Sequence, residues 1–164
     1  MTLGMTTQTY TLVHVLISLV GIASGLVVLF GLLGSKRMDG WTGLFLVTTV
    51  LTSVTGFGFP FDHLLPSHKV GIISLVMLAI AILARYGLHL AGAWRWIYVV
   101  TAVISLYLNV FVLIVQLFEK VPLLHDMAPH QSEPPFLVAQ VVVLGIFVVL
   151  TVFAARRFHP APAG

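Results

Sequence analysis

The chain has 164 residues, of which 59% are hydrophobic and only 8% charged, with a mean hydropathy of +1.09 and a formal charge of +3. Soluble domains carry about 25% charged residues, so water could not solvate this surface and lipid is the expected solvent. The Lys and Arg residues form no phosphate-gripping run, which excludes a nucleic-acid partner; the absence of cysteine excludes disulfides, thiolate metal sites, iron–sulfur clusters and cysteine nucleophiles.

The N-terminal "MTLGMTTQTY" lacks the basic segment of a secretory signal, so the first apolar run is expected to remain as a span. A helix needs about 20 apolar residues to cross the hydrocarbon core. Five runs meet that need, at 11–33, 41–59, 69–91, 95–118 and 136–156. The predicted fold class is therefore all-α, an integral membrane bundle of five transmembrane helices forming one domain over 1–164. The third and fourth runs are separated only by residues around "GAWRW" and should pair antiparallel. The connection "FPFDHLLPSH" precedes the third run, with Ser67 after Pro66 as a helix cap. The longest connection, 119–135, has four prolines, two of them directly before Phe136, and reads as a functional loop or partner contact. The tail from about 158 to 164 is predicted to be disordered.

Lysine and arginine counts set the orientation. Lys36, Arg37, Arg95, Arg156 and Arg157 fall on one side; the other has only Lys69 and Lys120, with Asp62, Glu119, Asp126 and Glu133. The basic side should be cytoplasmic. In a bacterial inner membrane this puts the N-terminus in the periplasm and the C-terminus in the cytoplasm.

Polar residues inside spans should face other helices. His14, Ser18, Gly21 and Gly25 follow helical steps, and "GIASG" at 21–25 is a small-xxx-small packing motif. Thr48, Thr52 and Gly56 share a line in the second run. His68, Gly71, Ser74, Ala81, Arg85 and His89 share one in the third, and Tyr98, Ser105, Asn109, Gln116 and Glu119 in the fourth. Most of these are interhelical glue, worth about 0.6 kcal/mol per contact. Asn109 is either a packing anchor or part of an internal polar site, since an unpaired buried amide is costly. Arg85, the one charge well inside a span, either snorkels or pairs with Asp39, the acid on its side; alternatively it forms an anion or cofactor contact with His89, four residues on.

Histidine placement is the strongest chemical signal. Five of the seven histidines fall on the predicted outer side: His14 near a span end, His63 and His68 in one connection, His125 and His130 in the other. Each loop pair is five residues apart with a proline between. Wet interfacial loops tolerate histidine, and that is the bland reading. The chemical reading is a site for zinc, copper or iron, since imidazole is the commonest metal ligand and no thiolate is present. Haem b held by His14 and His68 is a further form of it. His14, His63 and His68 form the expected core, with His125, His130 or Glu119 completing the site. Asp62, Asp126, Gln116 and Gln140 are expected to orient the ligands.

The sequence carries no glycine-rich phosphate loop, no Walker-type lysine and no nucleophile elbow. Intramembrane acids are almost absent, which disfavours an ion-coupled carrier. The leading expectation is a small membrane protein that binds a metal or haem for redox chemistry or metal handling. A quinone-binding protein is one alternative. The other is an accessory subunit or assembly factor that contacts lipid and further membrane subunits, or a second copy of itself. The residues assign no reaction.

Overall fold

The structure, a computed structural model, describes residues 4–59 and 66–160. It is an all-α bundle. In chain order the helices are α1 (Thr7–Leu33), α2 (Asp39–Gly56) and α3 (Pro66–Ile82), which runs on as a π-helical turn over Leu83–Gly87. They are followed by α4 (Trp94–Lys120), the short α5 (Pro122–Met127) and α6 (Pro134–Arg157). α1 to α4 pack around one another, and α6 lies against α4 and α1.

Among the described residues, four helices are long and apolar enough to cross a membrane: Thr7–Leu33, His68–Gly87, Trp94–Lys120 and Pro134–Arg157. α2 is less apolar because Thr42, Thr48, Thr49, Thr52, Ser53 and Thr55 interrupt it. Its 18 residues still reach about 27 Å at 1.5 Å per residue. One of its ends touches the start of α1 and the other touches the end of α3, so it runs through the same layer as its neighbours. The five predicted runs and the four apolar helices thus differ only at α2.

Lipid tails are as apolar as leucine, so hydrophobic burial alone does not hold such helices together. Close packing and internal polar contacts do. Gly25 illustrates the first: a Cβ there would come within 2.6 Å of Leu106 and 2.8 Å of Phe45, so glycine lets α1 close on both α2 and α4. The main core is Val28, Leu29, Leu32, Phe45, Leu46, Leu78, Tyr98, Val99 and Leu106 with their neighbours. The hydroxyls on α2 mostly donate to carbonyls one turn back, which satisfies them inside their own helix. Leu12, Leu16, Leu19, Val141, Val142 and Val149 stay exposed, as lipid-facing side chains should. Exposed Trp41, Tyr86 and Trp96 lie near the end where α1 finishes and α4 begins, at the depth where amphipathic rings settle.

The prolines act as helix starts. Pro122 opens α5 and Pro134 opens α6, where a missing N–H costs nothing. α3 begins at Pro66, so Ser67 lies inside the first turn rather than ahead of it.

Two further expectations are corrected. The third run does not stay helical to residue 91. It ends in the π turn, where the Leu88 N–H donates to the Leu83 carbonyl at 2.8 Å, and His89 and Leu90 take left-handed backbone conformations (φ 52° and 60°). The tail is ordered further than predicted. Phe158 is fully buried against Tyr98, Arg95 Nη1 donates to the Ala155 and Phe158 carbonyls at 3.2 and 2.6 Å, and the His159 N–H donates to Ser35 Oγ at 2.8 Å. The arginine supplies donors to carbonyls that the end of α6 leaves open.

Candidate functional site

The two ends of the bundle hold most of the polar side chains. At the end where α1 starts, Tyr10 and His14 lie one turn apart and both reach the last turn of α2. The Tyr10 hydroxyl donates to the Thr55 carbonyl at 2.7 Å, and His14 Nδ1 lies 2.6 Å from Thr55 Oγ1. Thr55 has one hydroxyl proton, which goes to the Leu51 carbonyl at 2.6 Å. With its proton on Leu51, Thr55 can only accept from His14, which favours the tautomer that carries its proton on Nδ1 and its lone pair on Nε2. Nε2 makes no hydrogen bond among the described residues. Phe59 packs edge-on against both rings, at 5.0 Å from Tyr10 and 5.2 Å from His14.

His68, on the first turn of α3, is buried beside Phe57, with ring centroids 5.3 Å apart. His14 and His68 therefore flank the same end of α2, on helices α1 and α3. His63 and Asp62 lie outside the described residues.

The second histidine segment is built separately. α5 packs on α4, and Phe118, Ala128 and Phe136 form a small apolar cluster of their own. His125, Asp126, His130 and Glu119 are exposed. The Glu133 carboxylate accepts from the His130 and Ser132 N–H groups, and Gln131 Nε2 donates to the Val115 carbonyl at 2.9 Å. Gln116 is half-buried; Gln140 is buried and reaches the Phe111 carbonyl at 3.4 Å. Among the described residues no three His, Asp or Glu side chains come together as an ion-holding group.

At the opposite end, the Arg85 side chain is only 2% exposed. Its guanidinium donates from Nη1 to the Tyr98 hydroxyl at 3.1 Å and from Nη2 to the Arg37 carbonyl at 3.1 Å and to Asp39. Its centre lies 5.2 Å from the Tyr98 ring centroid. Arg85 thus pairs with Asp39, one of the three roles the sequence offered it. The π turn explains the position, since one extra residue in the turn re-aims the side chain into the bundle. Burial pushes the Asp39 carboxyl up, but the hydrogen bond and charge of Arg85, then those of Arg37, outweigh it and hold the group below its ordinary value. His89 is exposed in the left-handed turn and shares no helix face with Arg85, so their four-residue spacing does not make them neighbours along a helix.

Asn109 faces α1 and α2 near Gly21, Thr48 and Thr49. The sequence reading missed Thr55 and Thr49. Thr55 was legible in part, since it stands seven residues beyond Thr48 and so on the same stripe. Nothing in the sequence marks Thr49.

In comparisons with known proteins, the chain matches no family model, no curated protein and no solved structure.

Proposed function

We propose that this multi-pass membrane protein binds a transition metal ion at the His14 end of the bundle, with His14 Nε2 as one ligand and His68, beside the same end of α2, as a second; His63, which the sequence adds to the set, lies outside the described residues. The observation that supports this is the Thr55 hydroxyl. As an acceptor for His14 Nδ1–H it leaves the lone pair on the other nitrogen, much as the carboxylates and carbonyls that orient metal-bound histidines do. Imidazoles without thiolates suit zinc, copper or iron. The Lys and Arg asymmetry places this end outward, facing the periplasm if the membrane is a bacterial inner membrane.

The test is elemental analysis and an absorption spectrum of protein purified in detergent. Stoichiometric metal without a Soret band is expected; a Soret band identifies the ligand as haem instead. His14→Ala should abolish occupancy. Thr55→Val, which keeps the shape but removes the Nδ1 acceptor, should weaken binding by about 10–100-fold. Affinity should also fall as the solution is made acidic, because protonated imidazole cannot ligate a metal. Full occupancy in both His14→Ala and His68→Ala overturns the reading. A metal-free protein that co-purifies with further subunits makes it an accessory subunit.

A further inference from the structure

Near the middle of α1, three helices meet around the missing side chain of Gly21. A Cβ at that position would lie 3.2 Å from Thr48 Oγ1, 3.3 Å from Thr49 Oγ1 and 3.3 Å from Asn109 Nδ2. The glycine faces polar atoms from α2 and α4 at once. One turn further along, Gly25 faces only the carbons of Leu106 and Phe45. The first glycine is therefore placed for hydrogen-bonding chemistry, the second for dry packing.

The donors and acceptors around Gly21 do not balance among themselves. The Thr48 hydroxyl donates to the Leu44 carbonyl at 2.7 Å, so it offers only lone pairs to the centre. Thr49 is 1% exposed, and its Oγ1 has no partner among the described residues. Asn109 Nδ2 is buried and has none either. Two unspent donors thus converge with one unspent acceptor, at a depth where lipid offers no replacement. No charged side chain is part of the group, so an ion is not the matching occupant.

We infer that a single water molecule is bound beside Gly21, accepting from Asn109 Nδ2 and Thr49 Oγ1 and donating to Thr48 Oγ1. Three partners fall within the two to four that buried waters usually have. Gly21 puts no side chain against the three polar atoms, and any Cβ there would press on all of them. The water joins α2 and α4 through hydrogen bonds that none of these side chains makes directly, against the bare backbone of α1 at Gly21. This site is independent of the histidine end.

Two measurements test it on the full chain. Water-edited solid-state NMR in lipid bilayers should show magnetisation transfer from water to the Asn109 side-chain amide, and Gly21→Ala should abolish it. Thermal unfolding gives a sign. If the Thr49 hydroxyl were simply unpartnered, Thr49→Val would remove a costly buried group and raise Tm. With the water in place, Thr49→Val should lower Tm by about 2–4 °C. Absence of transfer to Asn109 in the unaltered chain, or a raised Tm in Thr49→Val, overturns the inference; the NMR result alone decides if the variants fail to fold.

Discussion

The two ends of the bundle use polar side chains in opposite ways. At the Arg85 end, three of the partners available to a buried guanidinium are engaged: a phenol, a carbonyl and a carboxylate. The backbone there is also tied, through Arg95 to the end of α6 and through Ser35 to His159. At the His14 end the bonds serve to orient a ring whose second nitrogen makes no hydrogen bond among the described residues. The contrast separates two jobs. Where both terminal nitrogens of a guanidinium are engaged and only its Nε makes no hydrogen bond among the described residues, the polar groups hold helices together; the ring nitrogen left over at the other end is where the proposed ligand would bind.

Breaking the consumed network should have the largest effect. Asp39→Ala leaves the Arg85 charge buried with only neutral acceptors. Removing one partner of a fully buried pair costs about 3–5 kcal/mol. The Asp39 side chain is 72% exposed, so water replaces part of what is lost and about 1–3 kcal/mol is expected. Tm in detergent should fall by about 3–10 °C. In an Arg85→Met background the same Asp39→Ala change should cost almost nothing, because no buried charge remains to be orphaned. Equal costs in the two backgrounds would mean that Asp39 acts without Arg85, and the contrast between the ends would lose its basis.

Acid gives a milder way to break the same contact. The folded Asp39 carboxyl titrates below its ordinary value of 3.8. A group depressed on folding contributes its stability in full above the unfolded value and loses it as pH falls through the folded one. The Tm gap between the unaltered chain and Asp39→Ala should therefore stay constant from pH 7 to about pH 5 and close only below about pH 4. A gap that closes between pH 7 and pH 5 would assign the titration to histidine instead.

Composition and run length were enough to read the all-α membrane fold, because a helix long enough to cross lipid leaves a continuous apolar signature. Glycine spacing also pointed correctly to the packed side of α1. The Arg85–Asp39 pair was legible as one option, since few acids stand near that side. The π turn after Ile82 was not legible: "LARYG" continues a helical pattern, and only packing decides that the side chain of Arg85 turns inward. Phe158 looked like the start of a loose tail because prolines follow it. Burial against Tyr98 and the donors of Arg95 override that local signal. The tautomer of His14 needed Thr55, which is 41 residues away in the chain, and no sequence spacing reports a hydrogen bond between helices.

The smallest expected effect sharpens the boundary of the His14 end. Glu133 sits just before α6, where a negative charge is favoured by the helix N-terminus. Its carboxylate gathers the N–H groups of His130 at 3.2 Å and Ser132 at 3.0 Å. Burial pushes the group up slightly, but hydrogen bonds from its own backbone, Ser132 and His130 outweigh it and keep the carboxyl below its ordinary value. Glu133→Gln keeps the shape but removes the charge and one of the two acceptor oxygens, so the turn carrying His130 should loosen. Amide exchange at His130 and Ser132 should speed up, while Tm moves by no more than about 2 °C, as for most exposed substitutions. Metal occupancy at His14 should not change, because α5 and this turn pack on α4 and α6 rather than on the helices that carry His14 and His68. A parallel loss of metal would show that His130 or His125 reaches across to the same ion, and the site would then extend over both histidine segments.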